Sequence, residues 1–106
     1  LNDPAYVDAA RAFARRILAE GGATTSERAA FGLAQCLLRT PESARVEVVA
    51  SLYQDALDTY EIHEHEASAM TLAGAPLPAG IRAAEVAAWT VVANVLLNQD
   101  ALLVKD

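Results

Sequence analysis

The string His63-Glu64-His65-Glu66 holds the densest set of groups in the chain that could do chemistry. A zinc-dependent hydrolase of the helical type carries two histidines four positions apart on one face, with a glutamate between them as base. Here the histidines are two positions apart. On a helix that step turns them about 200° from one another, so they point to opposite sides. On an extended segment they would share a side, but a third ligand must then come from elsewhere. His63 and His65 are weak metal candidates on this spacing, which favours a solvated polar junction. The enzymatic alternative is metal-assisted hydrolysis of polymers outside the cell, with nearby acids completing the ligand set.

A second pattern is polar rather than catalytic. Thr90, Asn94 and Asn98 recur at i, i+4 and i+8, the first two within Val86–Leu97, a segment in which ten of twelve residues are apolar, and the third just after it. Buried amides need partners, because an unpaired one costs about 1–3 kcal/mol. The ridge therefore either bonds a neighbouring loop, such as the Pro-rich stretch before the segment, or forms a docking face for another domain. Trp89, in the middle of the same segment, reads as a core anchor rather than a cofactor-stacking ring.

The remaining chemistry is sparse. The single cysteine, Cys36, lies in an apolar helical stretch, where a free thiol behaves as a small hydrophobe. No histidine is spaced to act as its base. The chain carries no Gly-rich phosphate loop, no plausible Ser-His-Asp set and no Cys-x-x-Cys-His for covalent haem, so no cofactor is expected in this domain.

The elements that must position these residues are helical. The chain has 106 residues, 54% of them hydrophobic but only 6% aromatic, and alanine, the best helix former, is abundant. That length fits one domain with one core. Val86–Leu97 is apolar nearly all round, which places it at the centre of a fold with other elements packed about it. It is too short for a membrane span, which needs about 20 apolar residues. The expected fold is an all-α, compact bundle of four to five helices with a central apolar C-terminal helix, enclosed by the first three.

Helix one is predicted to open at Asn2-Asp3-Pro4, with Asp3 as N-cap and Pro4 at the first helical position. Gly21-Gly22 ends it. Helix two carries a capping box, Thr24-x-x-Glu27, and contains Gly32, which is tolerated where another backbone comes close. Helix three is predicted to start with Thr40 as N-cap and Pro41 at its first position. Its apolar stripe, Val46, Val49, Leu52, Tyr53, Ala56, Leu57 and Tyr60, opposes Glu47, Gln54, Asp55, Asp58 and Glu61, the clearest amphipathic pattern in the chain. A charged interruption at Ile62–Glu66 leads to a short helix at Glu64–Leu72. Gly74–Gly80 holds two prolines and two glycines and reads as a loop. The last helix runs from Arg82 to Leu97, with an extension to Leu103 consistent with the pattern. Helices one and two together have about the length of a tetratricopeptide unit, but its Trp, Leu-Gly and Pro positions are not met.

The net charge of −6 argues against nucleic-acid and anionic-membrane partners, which select for Lys and Arg. The charge is concentrated: residues 41–66 carry Arg45 against Glu42, Glu47, Asp55, Asp58, Glu61, Glu64 and Glu66. A solvated helix face accounts for such a block. A cationic partner is the sharper alternative.

The ending Ala84-Glu-Val-Ala-Ala-Trp-Thr-Val-Val-Ala-Asn-Val-Leu-Leu-Asn98-Gln-Asp100 resembles the end of the C-terminal domain of the large planctomycete cytochrome-C-type proteins, a domain without an assigned function. Leu1-Asn2-Asp3-Pro4 and the Leu37-Leu38-Arg39-Thr40-Pro41 turn resemble earlier phrases of the same region, so the likeness covers nearly the whole chain. Trp89, Asn98 and Asp100 match as family-typical residues without a known role. The His-Glu-His-Glu string is not part of that pattern. The resemblance implies the C-terminal piece of a longer, exported protein, periplasmic or secreted, in which haem would belong to a separate N-terminal domain. The function it favours is an interaction or scaffolding module that packs against other domains of its parent chain through Thr90, Asn94, Asn98 and Asp100 or through the acidic face. A repeat-type peptide-binding module is the other non-enzymatic alternative.

Overall fold

Five α-helices follow one another: α1 (Pro4–Glu20), α2 (Thr25–Leu37), α3 (Ser43–Ile62), α4 (Glu64–Met70) and α5 (Ala83–Asn98), with no strand among the described residues. The chain is an all-α bundle. The computed structural model describes residues 4–71 and 76–98, leaving aside the side chains of residues 4–6. The expected N-cap at Asp3, the end of the short helix at Leu72, the glycine at position 74, the extension to Leu103 and the candidate Asp100 lie outside the described residues.

The apolar pattern of α5 decides the architecture. Nine of its residues are buried, Ala84, Val86, Ala87, Ala88, Trp89, Thr90, Val92, Ala93 and Leu96, and they occupy every side of the helix. It packs most extensively on α1 and α3, next on α4 and least on α2. The enclosure is thus not by the first three helices alone: α4, short as it is, buries Ala67 and covers part of α5. Helices α3 and α5 run antiparallel, since Trp89 meets Tyr53 while Arg82 meets Glu61 one end further along.

The capping box of α2 forms as the sequence predicts. The Glu27 amide donates to Thr24 Oγ1 at 3.1 Å, and the Thr24 amide donates to Glu27 Oε1 at 3.0 Å. Ala23 donates to the same carboxylate oxygen at 2.9 Å. These bonds favour the ionised form and hold the Glu27 carboxyl below the ordinary carboxylate range.

Four boundaries and contacts differ from expectation. Helix α3 begins at Ser43, and its N-cap is Glu42, whose side chain makes no capping bond. Thr40 and Pro41 are used in the turn instead. Helix α2 ends on Leu38, which takes the left-handed conformation (φ 58°) and donates its amide to Ala34 O. The chain must then run extended through the pre-proline position before it can coil again. The charged interruption shrinks to His63, since Ile62 closes α3 and Glu64 opens α4. At Gly32 the close neighbours are side chains rather than a backbone: an added Cβ would lie 3.1 Å from Leu96 Cδ1 and 3.2 Å from Ile17 Cδ1. Finally, α1 and α2 separate apolar from polar faces more cleanly than α3 does. The buried stripe Val49, Tyr53 and Leu57 is as expected, but Val48 and Ile62 are exposed on the opposite face.

Candidate functional site

Trp89 is the centre of the core. It is 0% exposed and stacks on Tyr53, with ring centroids 4.2 Å apart and planes 21° from parallel. Its indole Nε1–H is buried and has no acceptor among the described residues. Burial, and then the nearby negative charge of Glu85, pushes the Tyr53 phenol up to about 12. A phenol so placed stays protonated across the physiological range and offers no base.

The polar ridge of α5 is bonded within its own helix. Thr90, 3% exposed, donates from Oγ1 to Val86 O at 2.7 Å. Asn98 donates from Nδ2 to Asn94 O at 2.7 Å and to Asn94 Oδ1 at 2.9 Å. The i, i+4 spacing brings Thr90 and Asn98 each to a carbonyl one turn back, which is where short polar side chains on helices find partners, while the Asn94 side chain accepts from Asn98. None of these bonds reaches the Pro-rich segment. Asn94 and Asn98 are half-buried near the end of the helix, and Thr90 is enclosed.

The histidines lie at the α3–α4 junction, both exposed. His63 closes α3 and precedes α4, and its ring Nδ1 lies 3.0 Å from Thr59 O. No group of three His, Cys, Asp or Glu among the described residues is placed to hold a metal ion. Cys36 is half-buried, and burial pushes its thiol up, away from the thiolate that a nucleophile needs.

A polar cleft of about 390 Å³ lies between the end of α3, α4 and the start of α5, lined by Glu61, Glu64, Ser68 and Arg82 among others. Its one cation is occupied. Arg82 donates from Nη1 to Glu61 Oε2 at 2.7 Å and lies 3.4 Å from Glu85 Oε1. This trio closes one end of the bundle. The other side of the α4–α5 connection is held by α1: Arg11 Nε donates to Met70 O at 2.7 Å, and Arg15 Nη1 to Pro76 O at 2.8 Å. The sequence places both arginines off the apolar stripe and pairs Arg11 with Asp8, a contact seen at 3.4 Å. Their grip on a segment about 60 residues away leaves no local signal.

The outer side of α3 is exposed. Ala44, Glu47, Val48, Ser51, Leu52 and Asp55 line a shallow groove of about 440 Å³ along it. Val48 is 68% exposed, and Ile62, fourteen positions further on, is 79% exposed. Fourteen helical steps return to within about 40° of the starting direction, so the two share a face about 21 Å apart. Sequence patterning missed both, because Val48 adjoins the stripe position Val49 and Ile62 falls in the stretch read as a charged interruption. Glu47, Asp55 and Asp58 form no ion pair among the described residues.

Comparison of the chain with protein-family models, with curated proteins and with solved structures returns no match. No helix among the described residues is long and apolar enough to cross a membrane.

Proposed function

We propose that this chain is a helical interaction or scaffolding module that packs against other domains of a longer parent protein. The observation that carries this reading is the distribution of charge. Residues 41–66 hold seven acids and one base, while the rest of the chain balances seven bases against seven acids. The whole net charge therefore sits on α3, its N-cap residue Glu42 and α4. A free-standing fold has no need of such an imbalance, which costs self-repulsion. A partner across the face would relieve it. The Thr90–Asn98 ridge is the weaker choice of docking face, because its described hydrogen bonds stay within α5.

The likeness to the planctomycete cytochrome-C-type proteins supplies the rest of the proposal: an exported parent, with any haem held in a separate N-terminal domain. The test is hydrogen exchange on the module alone and within its parent gene product. Slower exchange at α3 in the parent supports docking there. Equal exchange in both settings refutes it.

A further inference from the structure

We infer that the outer face of α3 takes a cationic amphipathic helix, one that presents aliphatic side chains at helical spacing with Lys or Arg on both flanks. This inference rests on the reading of α3 as a docking face and adds the chemistry of what docks.

Three observations lead to it. First, the face is a helix surface about 30 Å long, set by the rise of 1.5 Å per residue over the twenty residues of α3. An extended, single-helix ridge suits a second helix lying beside it rather than a compact ligand. Second, its apolar contacts are few and spaced. Val48 and Ile62 stand proud two heptads apart, with Ala44 one turn before Val48 and half-buried Leu52 one turn after it. A partner must meet them with aliphatic residues at matching intervals. Third, the charges between them have one sign. Glu47, Asp55 and Asp58 lie along the face without an ion-pair partner among the described residues. Arg45, the one base between residues 41 and 66, lies 3.5 Å from Glu42.

That uniform sign excludes the obvious competitors. A second copy docking through the same patch would set acid against acid, because a two-fold interface repeats one surface on both sides. Anionic lipid and nucleic acid are repelled for the same reason. A neutral aliphatic helix would bury the carboxylates without compensation. A cationic helix satisfies both the apolar positions and the acids, and charge complementarity of this kind sets specificity and association rate.

The experiment uses the full chain, labelled with ¹⁵N, and three synthetic helices of about 20 residues, the length at which isolated helices persist in water. Each has leucine at the facing positions; the flanks are lysine in one, serine in the second and glutamate in the third. The lysine helix is expected to shift amide resonances of α3 around Val48, Asp55 and Ile62, with an apparent affinity that falls roughly tenfold as salt is raised past the screening range. Asp55→Lys should weaken it by roughly tenfold, whereas Asp8→Lys on α1, an equal change in net charge, should leave it within about twofold. Val48→Ser should weaken it severalfold. All three substitutions are at exposed positions, and circular dichroism melts confirm that each variant is folded. Equal losses for Asp55→Lys and Asp8→Lys would overturn the inference, by reducing the effect to bulk charge. Shifts on α3 with the serine or glutamate helix as strong as with the lysine helix would keep the docking face and overturn its cationic partner. No shift on α3 with any helix would overturn both.

Discussion

Replacing Trp89 tests the enclosed-helix account at its centre, and two substitutions separate the contributions. Trp89→Ala removes a side chain that is 0% exposed. Truncating a buried aromatic to alanine costs about 3–5 kcal/mol. About 0.5–1.5 kcal/mol of that is the stack on Tyr53. Domains of this size have total stabilities of about 5–15 kcal/mol, so the variant should lose a large share of its stability, and all of it if the parent lies at the low end. Trp89→Phe behaves differently. It keeps an aromatic ring against Tyr53 and deletes the Nε1–H that has no acceptor among the described residues. A residual cavity of roughly 40 Å³ costs about 1 kcal/mol at about 24 cal/mol per Å³. Removing a buried unsatisfied donor returns about 1–3 kcal/mol. On these figures the phenylalanine variant should be as stable as the parent or up to about 2 kcal/mol more stable. Urea denaturation followed by far-ultraviolet circular dichroism measures both without relying on the indole. An alanine variant as stable as the parent, or a phenylalanine variant as damaged as the alanine one, would refute the reasoning.

Three further outcomes follow from local geometry. Leu38 is 88% exposed and holds a left-handed conformation, so Leu38→Gly removes backbone strain while losing little buried surface, and should raise stability by about 0.5–1 kcal/mol in the same urea assay. Thr24→Ala deletes a side-chain cap of α2 and should cost about 0.5–2 kcal/mol, read as a lower Tm. Tyr53 is held near 12 in the fold against 10.0 for a free phenol. Its contribution is complete below the unfolded value and is lost as pH rises from about 10 through about 12, because only the unfolded chain then ionises freely. Urea midpoints across that window should fall more steeply for the parent than for Tyr53→Phe, and identical slopes would contradict the buried phenol.

Much of the fold could be read from residue patterns, and the reasons are local. Val86–Leu97 is apolar on all sides, a pattern that only an enclosed helix satisfies. The Thr24–Glu27 box forms because both partners lie within one turn. The stripe Val49, Tyr53 and Leu57 keeps strict helical spacing. What escaped depends on residues far apart or on competing uses of the same residue. Thr40-Pro41 has the chemistry of a helix start, yet Leu38 in the left-handed region leaves those residues to reverse the chain. The α5 ridge looked outward for partners, but its own carbonyls are nearer. The Arg11 and Arg15 bonds to Met70 and Pro76, and the Glu61–Arg82–Glu85 trio, exist only once distant segments have met. The acidic block was legible as composition, whereas the exposed Val48 and Ile62 beside it required the orientation of α3.

Native-state hydrogen exchange on α5 tests the central claim most directly, because amides of the most enclosed element open only when the whole domain does. The amides of Val86–Leu96 should exchange with the free energy of global unfolding, the slowest in the chain. Exchange of α5 at a lower free energy than α1 and α3, with those helices still protected, would contradict the account.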